Sequence, residues 1–130
     1  MRFITGKYKI LLEDKEIGTT DFEKADAPMG VVLGRLNFNN ENLNYQFIKD
    51  YCDKNNIEIA MDYPEDKLIS TFSIPKLKVL NQNGIEISGV GNQISGMDNA
   101  EYEIEIFGIP YPFYEEEFPH HVADYKTMFN

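Results

Sequence analysis

Cysteine is almost absent from the 130-residue chain, where Cys52 stands alone. No intramolecular disulfide can form, which predicts a protein of a reducing compartment held together by its own core. Long apolar runs are missing as well: none approaches the roughly 18 consecutive apolar residues that a membrane helix needs. From Met1 to Leu12 there are only short apolar clusters, broken by Arg2, Lys7 and Lys9, with no signal-peptide apolar region or small-residue cleavage site. The expected location is the cytoplasm, without membrane association. Linkers, internal repeats and low-complexity tracts are absent too, so residues 1–130 read as a single domain.

Basic residues are scarce in one part only. Residues 1–40 are neutral, and residues 41–78 carry a net charge of −2. Residues 79–130 hold nine acidic side chains against Lys126 alone, a net of −8 out of −10 for the whole chain. Such a field repels nucleic-acid backbones and anionic membranes and attracts a basic partner. Solubility alone accounts for acidity in many proteins, so charge needs a second feature to become functional.

What the chain does contain is apolar patterning. Tyr8, Ile10 and Leu12 share one face of a first strand, and Ile17 to Phe22 reads as its return. Lys24 to Gly30 reads as a loop. Val31 to Phe38 is a third strand, with Gly34 implying close approach of another backbone. Leu43, Phe47, Ile48, Tyr51 and Cys52 lie on one helical stripe, predicting a helix over about 42–55, capped by Asn40 or Asn42 and ended by Asn55 or Asn56. Ile57–Met61 and Leu68–Ile74 are further strands around a turn at Pro64.

Lys76 to Val90 reads as a hairpin. The three-residue turn Gln82-Asn83-Gly84 pairs Val79 with Ile87 and Asn81 with Ile85, which sorts Leu77, Val79, Ile85 and Ile87 onto one face. A Gly-rich connection over 89–96 leads to a last strand, Ala100–Ile109, with Tyr102, Ile104 and Ile106 inward and Glu101, Glu103 and Glu105 outward. The predicted architecture is α+β: a mostly antiparallel sheet of about six or seven strands, one main helix at 42–55 packed on one face, and a Pro/aromatic-rich C-terminal tail ending in a short helix. Prolines between Pro110 and Pro119 predict that much of the tail is stiff and extended.

No catalytic set is apparent. His120 and His121, preceded by Glu115, Glu116 and Glu117, combine imidazole with carboxylate, the donors zinc takes. Adjacent residues point in different directions, however, no Cys sits nearby and no His-x₃-His spacing exists, so these two are weak metal candidates and no cofactor is expected. The glycines at 89, 91 and 96 lack the following helix and basic residue of a phosphate loop. Cys52 falls on the apolar helix stripe, where an inert thiol is expected. Asp62, Glu65 and Asp66 lack the glycine and terminal Glu of a calcium loop and read as solvated surface.

The informative feature is acid beside aromatics. Glu101, Glu103 and Glu105 put like charges about 7 Å apart along one strand face. Such a row calls for a cation opposite, either from Lys76 and Lys78 on a neighbouring strand or from another protein. Six of the seventeen aromatics fall in the last twenty residues; of these, Phe113, Phe118 and Phe129 read as folding onto the core. Tyr111 and Tyr114, with Glu115 to Glu117, have the character of binding anchors ringed by charge.

The expected function is a small acidic protein-binding module of the immunity type. It would neutralise a basic partner, such as a nuclease toxin, by covering the surface that grips phosphate. The alternatives are a small enzyme or metal protein with its site at His120 and His121, and a structural or accessory subunit.

Overall fold

The computed structural model describes residues 7–128. The α+β class and antiparallel pairing stand, but the expected single sheet is two. A four-stranded sheet is built from β1 (Tyr8–Leu12), β2 (Lys15–Thr20), β5 (Asn37–Phe38) and β8 (Leu77–Leu80), in the order β5-β2-β1-β8. A six-stranded sheet holds β3 (Lys24–Asp26), β4 (Val31–Arg35), β6 (Ile59–Tyr63), β7 (Leu68–Thr71), β9 (Gly91–Met97) and β10 (Tyr102–Phe107), in the order β3-β4-β10-β9-β7-β6. Three helices accompany them: α1 (Tyr45–Asn55), α2 (Phe113–Glu117) and α3 (Pro119–Met128).

Alternation works as expected within the strands. Tyr8, Ile10 and Leu12 of β1 are buried, as are Leu77 and Val79 of β8; from the other sheet come Tyr102, Ile104 and Ile106, with Val32, Ile69 and Ile94. These inward faces form one continuous core. The run Val31–Phe38 belongs to both sheets: the chain leaves the six-stranded sheet after Arg35 and joins the four-stranded one at Asn37, with buried Leu36 at the corner. A Cβ on Gly34 would sit 2.5 Å from the Thr20 hydroxyl and 2.7 Å from the Phe22 nitrogen, so only glycine allows the sheets this approach.

Three connections differ from the sequence reading. Lys24–Asp26 is not loop but an edge strand paired with β4, followed by a 3-10 turn at Ala27–Met29. The Gly-rich segment is not a connection but the interior strand β9, bonded to β7 and β10. There Gly91 stands opposite Phe107 and Gly96 opposite Tyr102. The aromatic rings come within 2.8 Å and 2.5 Å of where a Cβ would be, taking the space a side chain would need. Finally, the expected stiff extended tail is instead largely two helices. Pro119 opens α3, where the missing N–H has no intrahelical partner to lose. Phe113 is partly buried and Phe118 fully so, as expected, while Phe129 lies outside the described residues.

The hairpin takes the three-residue turn: Ile87 N–H donates to the Val79 carbonyl (2.8 Å), Asn81 N–H to that of Ile85 (2.9 Å), and Gly84 has φ 78°. Its return limb makes only an isolated bridge, and Ile85, expected on the buried face, is half exposed.

The helix starts at Tyr45, later than the stripe suggests. Asn44, rather than Asn40 or Asn42, caps it by accepting the Phe47 N–H at 3.1 Å, and Asn56 ends it with φ 58°. The helix packs on β7 and is fastened to β6 through Asp62, which accepts the Tyr45 hydroxyl and the Lys49 ammonium, the latter at 2.6 Å. Asp62 is therefore not the solvated surface residue the acidic turn suggests. The bond from Lys49, then that from Tyr45, holds its pKa below the ordinary 3.8. Stability from a carboxylate with a depressed pKa is fully present above about pH 4 and is lost as pH falls through the folded value. We expect Asp62→Asn to lower the urea midpoint at pH 7, with the gap to the native protein narrower at pH 3. A gap of equal size at both pH values would contradict this role for the ionised carboxylate.

Candidate partner-binding face

Burying Tyr102, Ile104 and Ile106 sends Glu101, Glu103 and Glu105 to the opposite side of the six-stranded sheet. The acidic strand is not an edge: β10 lies between β4 and β9, with both sets of backbone groups in ladders. A partner therefore cannot pair with this strand's backbone and meets its side chains instead.

Strand register identifies what else stands on that outer face. Glu103 is level with Arg35 and Ser95, and Glu105 with Leu33 and Gln93. Ser70 is level with Ser95 and with Met61, and Leu68 with Met97 and Tyr63. Met61 and Tyr63 are about half exposed. None of the residues named on this face is buried: each is exposed or only partly buried.

The row is partly neutralised, and from one side. Lys24 Nζ lies 3.2 Å from Glu103 Oε2, and Arg35 Nη2 lies 3.3 Å from Glu101 Oε1. Glu105 instead accepts a hydrogen bond from the Gln93 amide at 3.0 Å. The compensating bases come from β3 and the end of β4. Lys76 and Lys78, the expected partners, belong with the other sheet: Lys78 pairs with Asp14 at 3.4 Å, and Lys76 precedes β8. These exposed pairs contribute between nothing and about 1 kcal/mol each.

On its other side the row borders a depression of about 590 Å³. It is lined by apolar Met61, Leu68 and Met97, by Ser70, Ser95 and Gly96, and by Glu101 and Glu103. Sequence alternation on β6 and β7 could have put Met61 and Leu68 on one face of their strands. Their meeting with the glutamates depends on a strand order that no local pattern encodes.

The C-terminal candidates are divided between exposed and inward-facing positions. Tyr114 is fully buried and donates its hydroxyl to the Val31 carbonyl at 2.9 Å, while half-exposed Tyr111 stacks on it and donates to the Ala27 carbonyl at 2.8 Å. Glu115 is exposed and pairs with Lys126 at 3.7 Å; Glu116 is exposed. Glu117 turns inward. Its two oxygens accept the Tyr8 hydroxyl and the Asn81 amide, each at 2.9 Å, tying α2 to β1 and to the hairpin turn. Burial, with Glu117 adjacent, pushes the Tyr8 phenol well above its usual range.

His120 and His121 stand with rings 4.0 Å apart. Buried His121 points Nε2 at the Phe22 carbonyl, 2.7 Å away, and so donates there rather than offering a lone pair. Desolvation, reinforced by His121, lowers the His120 pKa. Among the described residues no group of three or more His, Cys, Asp or Glu is placed to hold a metal ion. Cys52 is buried, and desolvation pushes its thiol up to about 11, far from a reactive thiolate. No helix among the described residues is long and apolar enough to cross a membrane.

Comparison with protein-family models, curated proteins and solved structures found no match to the chain.

The bracing role of Glu117 is measurable. Glu117→Ala removes both bonds and is expected to cost about 1–3 kcal/mol by urea denaturation, since hydrogen bonds to charged groups are the stronger ones. Glu117→Gln, which can still bond to both partners, should recover part of that loss. Equal losses in the two variants would mean that the bonds do not hold the tail.

Proposed function

We propose that this chain is a small protein-binding module that docks through the outer face of its six-stranded sheet onto a basic protein. In the finer form of the proposal it acts in the cytoplasm as an immunity-type inhibitor, covering the phosphate-gripping surface of a basic toxin or nuclease. The observation that carries the reading is the outer face itself, where the Glu101–Glu103–Glu105 row lies beside apolar Met61, Leu68 and Met97. Apolar anchors next to charge give slow dissociation, and the surrounding acidic field speeds encounter with a basic surface.

Glu105, bonded to the neutral Gln93 amide, and exposed Glu116 contribute to that field. Tyr114 and Glu117 hold the tail in place and are assigned no part in docking. A metal-assisted site at His120 and His121 has less support, because among the described residues no third His, Cys, Asp or Glu is placed with them to hold an ion. An accessory subunit would use the same face, and the nature of its partner would separate the two roles.

The test is affinity capture from the native host at low ionic strength, with three baits. One is the native protein, one carries Glu101→Gln, Glu103→Gln and Glu105→Gln, and one carries Glu13→Gln, Glu58→Gln and Glu65→Gln as a charge-matched control. We expect a basic protein, released by salt, on the native and control baits and not on the first variant. Exposed ion pairs being weak, that variant should keep the native unfolding temperature to within a few degrees. Equal capture by all three baits would show that the face is not used. If the captured protein is a nuclease, the native module should inhibit it.

A further inference from the structure

The acidic row is asymmetric. On the β4 side Lys24 and Arg35 reach it; on the β9 side it borders the depression, whose lining, among the described residues, contains no base. Each of the two carboxylates meets its internal cation through one oxygen, Oε2 of Glu103 and Oε1 of Glu101. A carboxylate has two oxygens and about four lone-pair sites, so both retain capacity to accept donors from the depression. Met61 and Leu68 lie on the strands beyond β9, with the small side chains of Ser70 and Ser95 between them and Glu103, and Met97 stands beside Glu101, whose carbonyl accepts its N–H.

An occupant of this space needs an apolar body a few carbons long and a cationic head with several donors. That is the chemistry of a long basic side chain. The guanidinium is the better head: it is planar, weakly hydrated and able to bond to two carboxylates, whereas an ammonium is compact and strongly hydrated. Thioether side chains suit such a stem, being polarisable and adaptable. A divalent metal, which takes several oxygen ligands, does not suit a mostly apolar lining.

We propose that the depression is a slot for an arginine side chain of the basic partner, its stem lying on Met61, Leu68 and Met97 and its guanidinium on Glu101 and Glu103. This deepens the docking-face reading and rests on it. The charge complementarity is local: the bare carboxylate capacity lies on the side where the described lining residues include no base.

Methionine methyls give a direct readout, because Met61 and Met97 line the slot while Met29 and Met128, both exposed, lie outside it. The protein, labelled with ¹³C at methionine methyls, would be titrated with a blocked pentapeptide of alternating alanine and arginine. Parallel titrations would use the same peptide with citrulline for arginine, and spermine. The expected result is that the arginine peptide moves the Met61 and Met97 resonances, leaves those of Met29 and Met128 in place, and binds about tenfold more tightly than the citrulline peptide.

Two variants separate shape from charge. Ser95→Leu fills the slot with its charges intact, and Glu101→Gln with Glu103→Gln removes charge while keeping shape. Each should weaken the peptide about tenfold, with unchanged Met29 and Met128 resonances showing that the fold is kept. No movement of Met61 and Met97, or spermine moving them as far as the arginine peptide does, would overturn the slot. A basic partner captured undiminished by Ser95→Leu protein but lost with the Glu101, Glu103 and Glu105 changes would also overturn it, while leaving the docking face standing. Capture indifferent to all of these changes would overturn both.

Discussion

One strict alternation organises this molecule. β10 lies near the middle of the six-stranded sheet, and every second residue of it seals the core: Tyr102, Ile104 and Ile106 are all buried. Because side chains of a strand alternate sides without exception, sealing the core on one face forces Glu101, Glu103 and Glu105 onto the other. That outer face then has to remain in water, since covering a row of carboxylates with an apolar layer would leave charges desolvated and unpaired. The second sheet and α1 consequently pack on the inward side. The same alternation is thus the reason for the core and for the acidic surface.

What closes the rest of the core is a set of long-range polar ties. Asp62 fastens α1 to β6, Asp98 accepts both the Tyr45 N–H and the Tyr102 hydroxyl, Glu117 bonds α2 to β1 and the hairpin, and His121 bonds α3 to Phe22. The bonds of Glu117 and His121 and that of Asp98 to Tyr45 join elements far apart in sequence, and the others close neighbouring ones. Among the described residues no buried side-chain nitrogen or oxygen lacks a partner. Next to these ties, Tyr8, Phe22, Tyr114 and Phe118 interlock in edge-on and tilted pairs, so the tail is held by packing as well as by bonds. With no disulfide available, this combination does the work of a covalent staple.

Local patterns predicted what local physics decides. β1, the helix stripe and its Asn56 end, the hairpin register at Asn81–Ile85 and the alternation of β10 could all be read from neighbouring residues. Gly34 correctly signalled a close approach. The misreadings have a common cause, which is that tertiary contacts replaced a local signal. Glycines at 91 and 96 look like a flexible connection until Phe107 and Tyr102 lie over them, and the run 31–38 looks like one strand until Leu36 turns a corner between sheets. Lys24–Asp26, three exposed residues, is a strand only because β4 is beside it. The apolar half of the candidate site was hidden for the same reason: Met61, Leu68 and Met97 belong to three strands, and only the order β10-β9-β7-β6 puts them beside the glutamates.

The net charge of −8 in residues 79–130 suggests a single acidic surface, yet the structure divides those acids among unlike tasks. Glu117 is a structural tie, Glu115 meets Lys126, and Asp98 holds the start of α1. Glu103 and Glu101 are half answered by Lys24 and Arg35. Total charge therefore overstates what a partner would meet, and what distinguishes one surface from a merely soluble one is imbalance at short range. Around β10 that imbalance has a direction: cations approach from the β4 side, and on the β9 side the carboxylates border thioether and leucine side chains, with no base among the described lining residues. An acidic surface kept only for solubility has no need of apolar side chains beside its carboxylates. A surface that receives a cation carried on a hydrocarbon stem needs both, and the stem's contacts give it selectivity that charge alone, screened within about 8 Å at physiological salt, cannot supply.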